Sequence, residues 1–158
     1  MENNQKNKRG KVKEELKSFF VIRQLSVSEL MAHSFYIVLS LLSGARGYTL
    51  LNMTSQEIQS SEMYLSLVQY MSIEVWGGLI LVLSATLILS VLLPREPKFT
   101  MTVFVNLALA VIFFLLSAAA YQNGLSVLNF YNHTIIVVAH VVLAGLGVVG
   151  VWRTKKTS

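Results

Sequence analysis

The sequence predicts an all-α fold: an integral membrane, antiparallel bundle of four transmembrane helices with both termini on the cytoplasmic side. Three observations predict it. Of 158 residues, 54% are hydrophobic and 13% are charged, about half the charged share of an ordinary water-soluble domain. The 13 Lys and Arg and the 8 Glu avoid three long stretches, Val75 to Leu93, Met101 to Tyr121 and Thr134 to Trp152. Each stretch is long enough to cross a bilayer. The period-two alternation of a membrane strand is missing from all three, so a transmembrane barrel is not expected.

Residues 1–25 read as a cytoplasmic basic tail, with Lys6, Lys8, Arg9, Lys11, Lys13 and Lys17, running into Phe19-Phe20-Val21-Ile22-Arg23. Aromatic and aliphatic groups beside basic ones suit a segment lying in the headgroup layer. No short apolar core with a small-residue cleavage site follows the tail, so a cleaved signal peptide is not expected. The transmembrane domain then occupies 26–152, with spans at about 30–51, 73–93, 100–121 and 134–152.

The first span is the most polar, holding His33 near one end and Arg46 near the other. An Arg close to a helix end can reach the interface along its own aliphatic stem. Next, Thr54-Ser55-Gln56-Glu57 has the form of a capping box ahead of Met63-Tyr64-Leu65. It predicts a short interfacial helix or an outward extension of the second span. That span opens at Ile73-Glu74-Val75-Trp76 and stops at Pro94, with Arg95-Glu96-Pro97-Lys98 as a tight turn. The third runs from Thr100 to about Tyr121, and Gly124 is placed to cap its end in the left-handed conformation. A short aromatic loop with Phe130 and Tyr131 leads to the fourth span, which ends at Trp152 before a cytoplasmic basic tail at 153–158. Trp76, Tyr121, Tyr131 and Trp152 occupy the positions of interfacial anchors.

Orientation follows from charge. Four spans put twelve of the thirteen basic residues on the side of the termini and leave Arg46 alone on the other. The positive-inside rule makes the first side cytoplasmic, in a plasma membrane. The basic tails are then expected to meet anionic lipid. Nucleic acid is not an expected partner, because no aromatic interleaving or nucleic-acid-binding motif accompanies the charge.

Catalytic patterns are missing from the sequence. There is no Cys and no Asp, and His33, His133 and His140 are scattered. Thiol chemistry, paired carboxylates, an HExxH metal site and a phosphate loop are therefore not in view. No enzyme, cofactor or metal is expected; an intramembrane enzyme would require a catalytic pair converging within hydrogen-bond reach. The candidate intramembrane polar site consists of Arg46, Glu74, Asn106 and His140. Arg46 and Glu74 flank the same outer turn, where they either pair or reach the headgroups separately; an outward polar site completed by Tyr48 and His133 is the functional alternative. His140 is the one ionisable residue deep in the fourth span, either bonded to a neighbouring helix or part of a proton or pore path.

Small residues recur at helical spacing, as they do where membrane helices approach closely. Ser40, Gly44 and Gly47 line the first span, and Gly77, Gly78, Ser84 and Ala85 the second. Asn106, Ala110 and Ser117 line the third, and His140, Ala144, Gly147 and Val151 the fourth. Asn106 is expected to hydrogen bond across helices.

In outline the chain resembles the small four-helix membrane proteins encoded by bacteria and their phages, in architecture alone. The expected function is that of a small multi-pass protein without enzymatic activity, acting as a homo-oligomer or by binding another membrane protein; a holin-like pore falls within this class. The alternative is a small ion or solute channel or transporter subunit, with Arg46, Glu74, Asn106 and His140 facing a polar path.

Overall fold

The computed structural model describes residues 27–93, 95–123 and 127–157. The tail and headgroup segment at 1–25, the stop at Pro94 and the cap at Gly124 lie outside the described residues. All regular elements described are helices: α1 Val27–Leu51, α2 Ser55–Gln59, α3 Glu62–Val68, α4 Ile73–Ser90, α5 Arg95–Gln122 and α6 Val127–Thr157. The chain divides into two compact units at Ala32, of which the first contributes only the opening of α1. The packing below is that of His33–Ser158.

Local chemistry explains most boundaries. The capping box forms in full: Thr54 Oγ1 accepts the Glu57 amide at 3.3 Å, and the Glu57 carboxylate accepts the Thr54 amide at 2.7 Å. This starts α2. Helix α5 begins at Arg95, earlier than the expected Thr100, so the segment read as a turn is helical. Pro97 then sits in the first turn, where a missing N–H removes no intrahelical bond. Helix α6 likewise absorbs the expected aromatic loop. There His133 Nδ1 donates to the Asn129 carbonyl at 2.7 Å and Thr134 Oγ1 to that of Phe130 at 2.9 Å, each one helical turn back. At its far end α6 runs past Trp152 to Thr157, with Lys156 Nζ 5.2 Å over the Trp152 ring, a contact one turn apart on the same helix.

Three helices are long and apolar enough to cross a membrane: Ile73–Ser90, Pro97–Gln122 and Asn129–Arg153. Val82, Phe104, Phe114, Val142 and Leu146 on these helices are all more than half exposed. Apolar surface presented so widely is at home in lipid and not in water, and the chain is a membrane-embedded protein. Helix α1 has the length but is not among the three; His33, Arg46 and the serines dilute its apolar character.

Helices α5 and α6 pack most extensively and run antiparallel, with Ser117 meeting Thr134 at one end and Phe99 meeting Gly150 at the other. Helix α4 lies against α5, and α1 lies against α4. The last contact is backbone to backbone. A Cβ built on Gly47 would stand 2.8 Å from the Gly77 carbonyl oxygen, and one on Gly77 would stand 2.7 Å from that of Gly47. Neither position has room for one more carbon. The second span's small residues divide: Gly77 and Ser84 face the packing, whereas Gly78 meets nothing within 4 Å and Ala85 is exposed.

Leu50, Ile73, Ile80, Leu87, Leu109, Phe113 and Leu116 form the buried core. Helix α3 adds Met63 and Leu67 and covers Trp76. Trp76 is therefore buried, with Nε1 donating to the Leu67 carbonyl at 3.4 Å, and is not the headgroup anchor the sequence suggests. Tyr121, Tyr131 and Trp152 are exposed.

Two outcomes are expected from these contacts. Gly77→Ala will destabilise the protein in detergent by about 1–3 kcal/mol, the cost of overpacking, whereas Gly78→Ala will be neutral or stabilising by up to about 1 kcal/mol through helix propensity; thermal melts of the pair give the comparison. The capping box will respond to acid. Its two Thr54 hydrogen bonds, backbone and hydroxyl, hold the Glu57 carboxyl below its ordinary value of 4.5. The stabilisation is thus present above that ordinary value and lost as pH falls through the lowered one. Amide exchange of α2 at pH 7 and pH 3 measures it, with faster exchange, corrected for the intrinsic rate, at the lower pH.

Candidate functional site

The polar groups of the helix interior gather around His140, which the spacing of α6 places on the same face as Ala144 and Gly147. Its ring is fully buried. Nδ1 lies 2.7 Å from Asn106 Oδ1 on α5, and Nε2 lies 3.0 Å from Ser43 Oγ on α1. Asn106 Nδ2 donates to the Thr102 carbonyl at 2.7 Å. This last bond gives the whole run a direction. A backbone carbonyl can only accept, so the amide nitrogen of Asn106 must point at it and Oδ1 must accept from His140. Nδ1 therefore carries the hydrogen, and Nε2 accepts the hydroxyl hydrogen of Ser43. The hydroxyl of Thr102 then lies 3.4 Å from Ser90 Oγ, which brings in α4. The run joins α1, α6 and α5, and a separate contact of the Thr102 hydroxyl ties α5 to α4.

Phe113 stacks on the His140 ring, with centroids 5.9 Å apart and planes 22° from parallel. On its other side, at 6.3 Å, is His133. Arg46, on α1, is within electrostatic reach of His133. Its Nη2 donates to the Tyr64 hydroxyl of α3 at 3.1 Å, while its Nε is buried without a hydrogen-bond partner. Glu74 is exposed at the start of α4, where its own backbone amide and the Ser72 hydroxyl favour its carboxylate. No ion pair joins Arg46 to Glu74 among the described residues. Each is satisfied more locally, Arg46 by the helix folded over its end of the protein and Glu74 by the residue preceding its own helix.

The four candidate polar residues are thus not one site. Asn106 and His140 are bonded to each other, Arg46 lies toward the α3 end beside His133, and Glu74 is on the surface. Tyr48, weighed as a partner of Arg46, is exposed. Of the packing residues, Ser40 donates to the Tyr36 carbonyl of its own helix at 2.7 Å, and Gly44 faces the Ser84 side chain at 3.6 Å. Gly47 meets Gly77, Ala144 is buried, and Gly147 faces Val103. Three site residues were not read from the sequence: Ser43, Thr102 and Tyr64. Ser43 shares the face of Ser40 and Gly47, and Thr102 precedes Asn106 by one turn, so spacing carried a signal for both. Nothing in the sequence announces Tyr64, whose contact depends on how α3 folds back.

Chemically, the run ends in an amide and a peptide carbonyl, neither of which passes a proton on. It holds helices together and fixes the tautomer of His140. It also sets a hydroxyl, an imidazole and an orienting carbonyl in sequence, with all three side chains fully buried. Among the described residues no group of three or more His, Asp or Glu is placed to hold a metal ion.

Comparison with protein-family models, with curated proteins and with solved structures finds no match to this chain.

Breaking the run should cost stability from either side of its central bond. His140→Ala and Asn106→Ala are each expected to destabilise the protein by about 1–2 kcal/mol, with a double-mutant coupling of about 1 kcal/mol. Ser40→Ala, which removes a bond within one helix, is expected to cost under about 0.5 kcal/mol. Chemical unfolding in mixed micelles reads all three.

Proposed function

We propose that the chain is a four-span membrane protein with both termini in the cytoplasm, packed as an antiparallel four-helix bundle in the plasma membrane. It acts without enzymatic activity, by associating with a second copy or with another membrane protein. The observation that carries this reading is the division of chemistry between inside and outside. Most polar groups of the spans are bonded within the protein, Ser84 Oγ being a buried exception without a hydrogen-bond partner, so little polar surface remains to line a path, and the lipid-facing surface is apolar. Of the three long apolar helices, α6 is the least buried within the protein. Val141, Val142, Val148 and Val149 are about half exposed around Gly145, where a Cβ would meet nothing within 4 Å. A bare glycine between valines lets a second helix approach closely, the contact on which membrane helix association relies.

Gly145→Leu tests the reading directly, since it fills open space and leaves the internal packing intact. The variant is expected to fold as the parent does and to lose association, read as a fall in mass in detergent and loss of cross-linking in membranes. Unchanged mass would refute the α6 interface. Reporter fusions after Asn123 and Ser158 test the orientation, with an external signal expected from the first and a cytoplasmic one from the second. Liposomes carrying the protein are expected to stay tight to ions and dyes; flux abolished by His140→Ala would establish the channel or transporter alternative instead.

A second reading rests on Ser43, His140 and Asn106, whose order is that of nucleophile, base and orienting group in acyl-transfer enzymes. Their complete burial, and a Ser43 in mid-helix whose backbone N–H serves the helix and not an oxyanion, place it behind the first. Treatment with a fluorophosphonate is expected to leave the folded protein unlabelled. Labelling at Ser43 that is lost in His140→Ala would reverse the order of the two readings.

A further inference from the structure

Arg46 stands four turns along α1 from His33, about 20 Å away at the rise of an α-helix. The charge at the His33 end belongs to Lys98, which is hydrogen bonded to His33. At the other end Arg46 is the sole Lys or Arg between Arg23 and Arg95. Its guanidinium is held in place. Nε is enclosed by protein and Nη2 is bonded to Tyr64 Oη, and the side chain as a whole retains partial exposure.

No carboxylate neutralises it among the described residues. Glu57 is committed to Thr54 and Glu74 to Ser72, and Glu62 is exposed at the start of α3 without an ion pair to Arg46. A positive charge this close to the hydrocarbon is costly unless an anion sits against it. The Tyr64 hydroxyl adds to the demand. Accepting from Arg46 uses an oxygen lone pair and leaves its own hydrogen to donate, beside the remaining guanidinium hydrogens. Fixed N–H and O–H donors converge there with a net positive charge, and a guanidinium fork fits a tetrahedral oxyanion in two-pronged fashion.

We propose that Arg46 and Tyr64 form an anion site that takes a phosphate group, either from a phospholipid headgroup or from free phosphate. The inference does not depend on self-association or on the orientation of the chain. Arg46 supplies charge and two-pronged geometry, and Tyr64 supplies one further donor. The site is separate from Lys155 and Lys156, which lie at the opposite end of α6, beyond the contact of Gly150 with Phe99.

The test uses the full chain, delipidated in a neutral glycosidic detergent. Native mass spectrometry with added phosphatidylglycerol, and phosphorus NMR line broadening with inorganic phosphate alone, distinguish the two sources. The wild type is expected to hold one lipid about tenfold more tightly than Arg46→Gln, roughly the effect of one charge-assisted hydrogen bond, and about threefold more tightly than Tyr64→Phe. Lys155→Gln with Lys156→Gln is expected to leave that lipid in place. A phosphate response lost in the same two variants, without lipid retention, would assign the site to the free anion. Equal binding by wild type and Tyr64→Phe, a variant that removes only an oxygen and so keeps the fold, would overturn the proposal even if Arg46→Gln failed to fold. Equal binding by a folded Arg46→Gln would overturn it as well.

Discussion

A polar atom inside a membrane has no water to fall back on, and in this protein the deepest buried polar side chains, Ser43, His140 and Asn106, meet that constraint through one directed run of hydrogen bonds. Thr102 offers a carbonyl that can only accept, and from it the amide of Asn106, the tautomer of His140 and the hydroxyl of Ser43 are settled in turn. Because the two bonds of His140 reach Asn106 on α5 and Ser43 on α1, the run ties α1, α5 and α6 together in a defined register. Pure apolar packing would not achieve this, since lipid tails compete with Leu and Val on equal terms. The run provides direction and specificity, and the core of Phe113, Leu109 and Leu116 provides density around it.

The parts of the fold that were legible in the sequence share a cause. Three spans show as stretches without charge, and the start of α2 shows because a capping box needs only four neighbouring residues. Asn106 and His140 stand out because polar groups are rare at such depth. What the sequence left unread depends on neighbours far along the chain. Trp76 carries the signature of a headgroup anchor, yet α3 folds over it and turns it into core. Arg46 and Glu74 look like partners by position, yet each finds a nearer group. The turn around Pro97 is helical because proline obstructs a helix only past its first turn, and sequence marks the proline without marking the turn it falls in. The loop at Phe130 is helical because back-bonding from His133 and Thr134 leaves the backbone no reason to break.

The two ends of the packed helices differ in character. Around Arg46 the chain invests two short helices, a buried Trp and two amide and hydroxyl contacts, Asn123 to Ser66 among them. At the other end, α4 passes to α5 through a few residues, and the contacts there include Ser90 with Thr102 and Lys98 with His33.

Contact between Gly47 and Gly77 has a consequence for how the chain comes together. Two backbones that touch leave no slack along the helix axis: sliding α1 by one turn against α4, about 5.4 Å, would drive a side chain into a peptide group. The α5 and α6 pair is different, because its glycines are filled by Phe99 and Val103 side chains, which can rotate. One seam of the protein is therefore keyed by touching backbones and the other by side chains and the hydrogen bonds of His140 and Thr134. During synthesis α1 emerges well before the surface that keys it, and its glycine face stays unmatched until α4 arrives. The register of α1 is thus settled by a partner and not by its own sequence.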